Sequence, residues 1–598
     1  MYLRTTTRAN GDGTEVAYLQ LAESVWNPAK RRSEVKIVHS FGRVDQANLE
    51  ELRKLADSIN RACNRKSSAT EPSSAEARLA KTSLPEGLEL LPAKHYGAFY
   101  VIEALWKRLG LERILTALLP KPKGRRQSSP HVAALLGMIA NRLHAPSSKL
   151  ACYEAWLRDE VYFPAGAELK LPQLYFAMDF LYEHAEQVEK ETFFSVADLF
   201  SLDVDLIFFD ATTVYFEIED DTVESSPEAE EDAEPRAKGA PAVEGARRKR
   251  GKNKEGRDNS PQVVVALAVT REGLPVRSWI FPGNTVDVTT IKTVREDLKS
   301  WKLSRILFVG DAGCYSAANL KTLSSGGGRY LLATPLRTLK ELHEEVLSRP
   351  GRYKQLNEKL EVKEVVVGEG EARRRYFLCR NQREAERARR HRVLLLRLLR
   401  AKLAELEPQE KSDHSKKVCT LLTSKRFGRY LSKEKSGRVF LDPDKVKQDA
   451  RFDGKWVVTT NDDTLSPEDG ALGYKAELII EACFRRMKTT GIRIRPVYHW
   501  LSRRIVAHVK LCVIALLLQR VAEIACDDTW RNLRLALRSI QVIVCQTASG
   551  SFVKTTTPTA EALAVLKKLK IQPPARLLAV LPRSVAQAYP ASPPSDPT

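Results

Sequence analysis

The chain has 598 residues, of which 96 are Lys or Arg and 75 are Asp or Glu, so the formal net charge is +21. A surplus this large favours a polyanionic partner, and nucleic acid is the first candidate because each neutralised phosphate releases counterions. A basic housekeeping protein or a ribosome-associated protein would carry a similar surplus. At about 150 residues for each domain, the length indicates roughly three or four domains.

The cysteines and the apolar runs argue against several classes of protein. Nine cysteines are scattered without a C-x-x-C pair, which disfavours a zinc ribbon or finger and a disulfide framework. The first residues lack the apolar centre of a signal peptide. The most apolar helical run, Leu511 to Leu518, is far shorter than the ~20 residues that span a membrane. We therefore expect a soluble, cytoplasmic, nucleoid-associated protein with no membrane partner.

The N-terminal third of the chain divides into two predicted regions. Residues 1–95 contain short strands, at 16–21 and 35–42, and then a polar linker at 66–76. From 96 to 200 the apolar residues recur at i, i+3 and i+4, which predicts a helical domain. This domain is either a small DNA-binding module or an ordinary helical bundle, since no recognition-helix motif distinguishes the two.

Residues 201–336 are rich in predicted strands and form the first part of a core. The strand candidates lie at 206–209, 262–269, 276–281, 305–310 and 330–334. The central ones are apolar along their whole length, as expected when helices cover both faces of a sheet. An insertion at 217–257 is acidic in its first half and basic in its second. It has no apolar period, so we expect a disordered loop there, with or without a role of its own.

The second half of the chain is predicted to interrupt the core and then complete it. Residues 337–455 alternate strands with a long charged helix and form an insertion subdomain. Residues 456–525 are the second part of the core. Residues 526–598 are predicted to form helices and a Pro- and Ser-rich, disordered tail. The expected fold class is α/β, with helical domains flanking the core.

Two aspartates follow apolar strands of the predicted core. Asp210 comes directly after Leu206-Ile-Phe-Phe, and Asp311 directly after Ile306-Leu-Phe-Val-Gly. Carboxylates that leave the carboxyl ends of neighbouring strands point into the crevice where α/β sheets bind ligands. They repel each other unless a cation lies between them, and Mg²⁺ prefers oxygen ligands. The pair therefore predicts a magnesium site.

A glutamate on a predicted helix over 474–488 is the candidate for a third carboxylate. Four polar residues recur there at i, i+3, i+7 and i+14, namely Tyr474, Glu477, Glu481 and Lys488. On a continuous helix these positions share one face. Three basic side chains follow, Arg493, Arg495 and His499. Such a stripe suits a groove that holds a phosphodiester backbone, and a solvated helix face with an ion pair has the same spacing.

The same residues belong to a longer series of sequence blocks. The blocks are Phe209-Asp-Ala-Thr-Thr-Val-Tyr-Phe, Pro261-Gln-Val-Val-Val-Ala-Leu-Ala-Val, Glu272-Gly-Leu-Pro, Phe281-Pro-Gly-Asn-Thr, Val309-Gly-Asp-Ala-Gly with Asn319-Leu, Tyr474 to Lys488, Arg495-Pro-Val-Tyr-His-Trp and Ala507-His-Val. In this order they resemble the transposases of bacterial insertion sequences that have a DDE catalytic domain. Within that family they are similar to the long-chain members with a Tyr-Arg-Glu-Lys signature around the glutamate.

The resemblance implies a fold and a set of catalytic residues. The fold would be a ribonuclease-H-like catalytic core with a β-containing insertion between the second aspartate and the glutamate. Asp210, Asp311 and Glu481 would be the catalytic residues and would hold two Mg²⁺ ions, for which Mn²⁺ can substitute. Tyr474 and Lys488 would contact DNA phosphates near the cleavage point.

One signature position departs from the family pattern. Glu477 stands where the resemblance leads us to expect arginine, so one contact with the DNA backbone is left unassigned. Arg485, one turn beyond Glu481, is the candidate to replace it. We also expect Arg495 and His499 to contact DNA.

The resemblance further implies a reaction and its partners. The protein would bind double-stranded DNA, both the terminal inverted repeats of its element and the target, as a homodimer. It would catalyse Mg²⁺-dependent strand cleavage and strand transfer in cut-and-paste transposition. Two alternatives stay open from the residues alone: a nuclease of the same fold, and a catalytically silent DNA-binding protein derived from a transposase. The three intact carboxylates argue against the silent protein.

Overall fold

The chain forms two compact units, Met1–Leu88 and Glu89–Thr598. A computed structural model describes residues 2–9, 15–27, 32–43, 88–120, 129–199, 206–217, 247–256, 260–301, 306–339, 342–369, 373–405, 416–434, 438–547 and 550–582. The first unit contains the strands β1 (Tyr2–Ala9), β2 (Glu15–Asn27) and β3 (Arg32–Arg43), paired antiparallel in that order. The two strands predicted there are confirmed and are longer than expected. The predicted linker at 66–76 lies outside the described residues.

The second unit begins with two short strands and a group of helices. These are β4 (Glu89–Leu90), β5 (Lys94–His95), α1 (Gly97–Arg108), α2 (Leu111–Leu118), α3 (His131–His144) and α4 (Leu171–Leu199). Between α3 and α4 lie a helical turn at Lys149–Ala151, a π-helical segment at Cys152–Glu160 and a short helix at Pro164–Ala167. The prediction of helices over 96–200 is confirmed. Every residue of α3 from Ala134 to Leu143 is buried, so α3 lies within the core.

Residues 206–333 contain five strands and two α-helices among the described residues. The elements are β6 (Leu206–Tyr215), β7 (Gln262–Val269), β8 (Pro275–Pro282), α5 (Asp287–Ser300), β9 (Leu307–Gly310), α6 (Ala317–Ser324) and β10 (Arg329–Ala333), with 3₁₀ turns at Ala312–Cys314 and Ser325–Gly327. All five predicted strands are confirmed. Gly273 has a φ of +76° in the turn between β7 and β8, a backbone conformation that glycine adopts without a steric penalty.

The segment predicted as an insertion extends this same sheet. Its elements are a π-helical turn at Leu342–Val346, β11 (Lys354–Asn357), β12 (Leu360–Val367), β13 (Arg374–Asn381), α7 (Gln382–Ala404), α8 (Lys416–Thr423), a 3₁₀ turn at Gly428–Tyr430, β14 (Leu431–Lys433), β15 (Val439–Leu441), α9 (Pro443–Ala450) and β16 (Lys455–Thr460). The nine-stranded sheet has the order β11-β12-β13-β16-β10-β9-β6-β7-β8. Within it β9 pairs parallel with both β6 and β10, and the other pairs are antiparallel.

The C-terminal part contains helices and a second sheet. Its elements are α10 (Pro467–Lys475), α11 (Leu478–Arg485), a π-helical turn at Arg486–Thr490, α12 (Ser502–Cys526), α13 (Trp530–Leu537), β17 (Gln541–Thr547), β18 (Gly550–Thr555), α14 (Ala560–Lys568) and β19 (Leu577–Pro582). Strands β17 to β19 pair with one another, and β17 also pairs with β4 and β5. The expectation of helices alone over 526–582 was therefore wrong. The β-branched residues of β17 favour a strand, as does their pairing with residues 89–95.

The large sheet has a packed helical layer on each face. Val263, Val265 and Leu267 of β7 join a core cluster with α12, whereas the alternating residues between them join a second cluster with α5 and α6. Helix α12 is apolar on all sides over residues 511–518, as expected of a helix that lies inside the first cluster. Among the described residues, α12 is the one helix that is long and apolar enough to cross a membrane, judged by length and composition alone. However, 94% of its most apolar stretch is buried inside the protein.

A buried ionic network joins the helical layer to the sheet. The Glu189 carboxylate of α4 accepts hydrogen bonds from Arg277 Nη1 of β8 at 2.9 Å and from Lys510 Nζ of α12 at 2.8 Å. All three residues are at least nine-tenths buried. A buried charge that keeps its partner is tolerated, whereas one that loses it is costly.

Replacement of Glu189 should destabilise the fold by leaving Lys510 buried without its counter-charge. We expect Glu189→Gln to lower the free energy of unfolding by about 3–5 kcal/mol. The double variant Glu189→Gln/Lys510→Met should recover much of that loss, because the uncompensated ammonium is gone. Urea denaturation of the three proteins measures this, and equal losses in the single and the double variant would contradict the assignment.

A second buried cation lies in the helical layer away from the carboxylates. Lys149 is 5% exposed, and burial lowers its pKa from 10.5 to about 7, with a smaller contribution from the nearby Arg142. The unfolded chain keeps this ammonium protonated up to its ordinary pKa. Between the two values the unfolded state binds more protons, so stability rises with pH across that window.

Lys149→Met should remove this pH dependence. The variant is expected to be more stable than the wild type near pH 7, because the wild type pays for a buried charge there. The difference in free energy of unfolding should shrink by up to about 1.4 kcal/mol for each pH unit as the pH rises. Denaturation curves of both proteins at pH values above 7 measure it, and a difference independent of pH would refute the assignment.

Candidate active site

Asp210 and Asp311 lie side by side because of the register between β6 and β9. These strands are parallel, and Phe209 pairs with Gly310, so the next residue of each chain segment is an aspartate. Strand β9 ends there, whereas β6 continues to Tyr215 because β7 still pairs with it. The expectation that Asp210 ends its strand was therefore wrong. The pair forms where the parallel pairing stops.

The environment of Asp210 disfavours its negative charge. Burial raises its pKa to about 6, Lys254 opposes that shift, and the neighbouring Asp311 adds to it. The Asp210 carboxylate accepts a hydrogen bond of 2.7 Å from its neighbour's backbone N–H, that of Ala211. Asp311 caps the following 3₁₀ turn by accepting a 3.0 Å hydrogen bond from the backbone N–H of Gly313.

A third aspartate and a lysine at this edge were missed in the sequence. Lys254 Nζ lies 3.7 Å from Asp210 Oδ1 and 3.0 Å from Asp287 Oδ2, so its ammonium bridges two carboxylates. Asp287 opens α5, and a side chain at Gly313 would begin only 3.5 Å from its Oδ2 and 3.0 Å from Asp311 Oδ1. A side chain at position 313 would thus press against the Asp311 carboxylate. The signal that could have found Asp287 is the block Phe281-Pro-Gly-Asn-Thr, which ends two residues before it.

The predicted helix over 474–488 is broken in the structure. Helix α10 ends at Lys475, α11 runs from Leu478 to Arg485, and a π-helical turn follows. The ideal helical face derived from the spacing therefore does not hold. Glu481 is exposed, and Glu477 at the junction of the two helices is the more buried glutamate.

Glu477 is the glutamate that responds most to the aspartates. Burial raises its pKa to about 8, the hydrogen bond from Tyr474 opposes the rise, and the charges of Asp311, Asp210 and Glu481 add to it. Burial and Glu477 also raise the pKa of Tyr474, which keeps its hydroxyl protonated. Asp210 and Glu477, whose pKa values are raised mainly by burial, are thus both subject to the charge of Asp311.

The donor chemistry of this region fits a divalent cation. Carboxylate oxygens are the ligands that Mg²⁺ prefers, and mutual repulsion among acids is relieved by a cation. Within the described residues, no three His, Cys, Asp or Glu side chains lie close enough to hold one ion together. The register of β6 and β9 brings Asp210 and Asp311 together, whereas the charge of Glu481 acts on Glu477 and Tyr474.

Two of the predicted DNA contacts meet at one carboxylate. Lys488 Nζ lies 2.6 Å from Glu255 Oε1, and Arg495 Nη1 lies 2.9 Å from Glu255 Oε2. The Arg495 guanidinium also stacks 4.2 Å from the ring centroid of Tyr215. These two cations are thus close enough to grip one anion between them.

Residues 247–256 were expected to belong to a disordered insertion, and they are instead docked on the sheet. Lys249 forms a β-bridge with Gln262, and the side chain of Gln262 accepts a 2.7 Å hydrogen bond from Asn253. The backbone N–H of Lys254 donates to Thr213 Oγ1 at 3.2 Å. Residues 218–246 lie outside the described part of the chain. The docked segment therefore places Lys254 beside Asp210 and Asp287. The adjacent Glu255 lies between Lys488 and Arg495.

Of the other three predicted contacts, Tyr474 hydrogen-bonds Glu477, and Arg485 and His499 lie elsewhere. Arg485 is exposed and faces a separate cavity beside α11. His499 packs against Tyr175 and His508, with ring centroids 6.2 and 5.5 Å away. Burial lowers its pKa to about 3, so its ring is neutral and does not attract phosphate by charge. The structure therefore does not bring His499 to the carboxylates.

Comparison with known proteins agrees with the chemistry of this edge. A family model described as the transposase DDE domain matches residues 205–518, and a model for the N-terminal domain of IS1634 family transposases matches residues 3–73. No curated protein matches the chain. A cryo-EM structure of the piggyBac transposase synaptic complex with hairpin DNA is similar at 10% identity, 74% coverage of this chain, 79% coverage of that chain and a TM-score of 0.31. The DDE match spans more than half of the residues, so the chain belongs to the DDE transposases of insertion sequences.

Proposed function

We propose that the protein binds the terminal inverted repeats of its element and catalyses Mg²⁺-dependent strand cleavage and strand transfer in cut-and-paste transposition. As a DDE transposase it acts on DNA by nucleotidyl transfer, and its family uses divalent metal ions. The single observation that carries the proposal is the crowding of Asp210, Asp311 and Glu477 at one sheet edge, where burial raises the pKa of Asp210 and of Glu477 and the charge of Asp311 adds to both shifts. Lys488 and Arg495, which we propose bind phosphate, pair with Glu255 of the docked segment 247–256.

The strand order supports a ribonuclease-H-like catalytic core. Three antiparallel strands, β8, β7 and β6, continue into the parallel strands β9 and β10. This arrangement places the first aspartate on the central strand and the second on its parallel neighbour. The catalytic glutamate, Glu481, would then come from α11 on the covering layer.

Three carboxylates would hold the metal ions, namely Asp210, Asp311 and Glu481. Bound divalent ions would supply Lewis-acid stabilisation of phosphoryl oxygens and a water of lowered pKa. Glu481 is the proposed third ligand because it is exposed to an incoming ion and keeps the signature spacing to Lys488. Glu477 is mostly protonated at neutral pH, since its pKa is about 8, and a protonated acid is a poor ligand.

Lys488 and Arg495 would hold the DNA strand beside the carboxylates. An arginine and a lysine that converge on two oxygens of one carboxylate can make the same contacts with two oxygens of a phosphate. The Tyr215 ring restricts the Arg495 guanidinium and so reduces the entropy lost on binding. A homodimer would join two element ends, with each subunit contributing one such site.

Charge removal at the proposed ligands should abolish cleavage without abolishing DNA binding. Asp210→Asn, Asp311→Asn and Glu481→Gln are each expected to lower the cleavage rate by about 10³-fold, since several kcal/mol of transition-state stabilisation are lost. Glu477→Gln should cost less than about tenfold, because it replaces a neutral acid by a neutral amide. The assay is nicking of a terminal-repeat duplex with Mg²⁺, with binding in EDTA as the folding control.

Two outcomes of that assay would change the assignment. If Glu481→Gln cleaves like the wild type and Glu477→Gln does not, the third ligand is Glu477. If cleaved ends are never joined to an unrelated plasmid, the protein is a nuclease of this fold.

Glu255 should compete with DNA for Lys488 and Arg495, because its carboxylate occupies the position proposed for a phosphate. Glu255→Gln is expected to tighten binding of a terminal-repeat duplex in EDTA by about tenfold at low salt and to steepen its salt dependence by about one phosphate contact. Glu358→Gln, an exposed acid in the turn between β11 and β12, removes the same charge and should change affinity little. Weaker binding by Glu255→Gln would show that Glu255 holds the two cations in their binding geometry.

A further inference from the structure

A large basic cavity lies beside α11, separate from the carboxylate edge. Its volume is about 1140 Å³, above the range of about 300–1,000 Å³ that is typical of small-molecule sites. Its wall comes from α11 and the turn after it, from α12, from the start of α13, and from residues 143–160. Helix α11 is shared between the two sites, because it presents Glu481 at the edge and Arg485 in the cavity.

The charge of the lining is strongly positive. Five arginines line it, namely Arg485, Arg486, Arg493, Arg531 and Arg534, against two acids, Glu160 and Glu523. Glu523 is already engaged within the protein, since it pairs with Arg486 at 3.0 Å and with Arg520 at 2.6 Å. It therefore cannot neutralise the other arginines.

Three of these arginines form no ion pair with any residue that the structure describes. Arg485, Arg493 and Arg531 are exposed, and they come from three different segments of the chain. Guanidinium groups that line one cavity without counter-charges repel one another modestly through solvent, and an external anion would relieve that repulsion. Their convergence therefore points to an anionic ligand.

Part of the lining consists of small side chains, Ala145, Ser147, Ala151 and Ala155, which lie in the same segment as the larger Trp156 and Glu160. A planar guanidinium binds phosphate oxygens in a bidentate manner, and three guanidinium groups in one cavity suit a repeated anion better than a single one.

We infer that this cavity binds the phosphodiester backbone of a DNA strand whose neighbouring phosphate lies at the carboxylate edge. The inference rests on the proposed function, and it adds Arg493 and Arg531 to the DNA-binding surface. Binding is through phosphates, so it is independent of base sequence. The strand follows α11 from Glu481 towards the start of α13.

The test compares matched pairs of arginines by DNA binding in EDTA, with both a terminal-repeat duplex and a random-sequence duplex of equal length. Arg493→Gln/Arg531→Gln is expected to weaken both by about 10- to 100-fold and to reduce the slope of log K against log salt by about two. The control Arg397→Gln/Arg400→Gln removes the same charge from exposed positions of α7 and should change affinity less than about threefold. Equal loss in both pairs, or no loss in the first, overturns the inference.

A second measurement uses the wild-type protein and needs no folded variant. Phenylglyoxal modifies accessible arginines, and bound DNA should protect Arg493 and Arg531 but not Arg397, as read by mass spectrometry. Equal modification with and without DNA overturns the inference. The proposed function is tested apart from this by Asp210→Asn, which should keep the protection and lose cleavage. If the wild type cleaves DNA but bound DNA does not protect Arg493 and Arg531, the proposed function stands and the cavity is not part of the DNA-binding surface.

Discussion

The parallel pairing of β6 with β9 is the constraint on which the rest of the site depends. Its register sets Phe209 opposite Gly310, and so two aspartates follow at neighbouring positions. Burial is the largest cause of the raised pKa of Asp210, and the charge of Asp311 adds to it. Two neighbouring carboxylates thus raise the free energy of the ionised state. The fold can hold such a pair because the sheet beneath it is covered on both faces and cannot relax. The Glu189 network strengthens this by tying α4 and α12 to β8.

Electrostatic compensation comes from a segment that is remote in sequence from both strands. Residues 247–256 dock on the edge of the sheet and place Lys254 against Asp210 and Asp287. The next residue, Glu255, meets the opposite need, since Lys488 and Arg495 would otherwise face each other. Burial lowers the pKa of Lys488 even so, which indicates that one carboxylate only partly offsets its desolvation. In the absence of DNA, two adjacent side chains of opposite sign thus compensate part of the charge on each side of the site.

The sequence predicted the parts of this arrangement that depend on local pattern. The strands β7 and β9 follow from their apolar runs, and the proximity of Asp210 to Asp311 follows from what precedes each of them. The break at Ala476 could not be predicted from the spacing, because Tyr474 to Lys488 contains neither proline nor glycine. Strand β17 was missed for a similar reason, since its partners β4 and β5 are remote in the chain.

Docking of the basic segment was the least predictable feature, because composition alone describes its solubility and not its partners. Asn253 and Gln262 form the contact that anchors it, and neither belongs to a charged pattern. The departure at position 477 has a related explanation. An arginine there would bring a cation to Asp210 and Asp311, whereas Glu477 adds a fourth acid whose charge both aspartates oppose. Lys254 supplies an ammonium at this edge instead, and its pKa is raised although burial acts to lower it, because the charges of Asp210 and Asp287 outweigh burial. Lys254 therefore brings a positive charge to the edge at which residue 477 carries an acid.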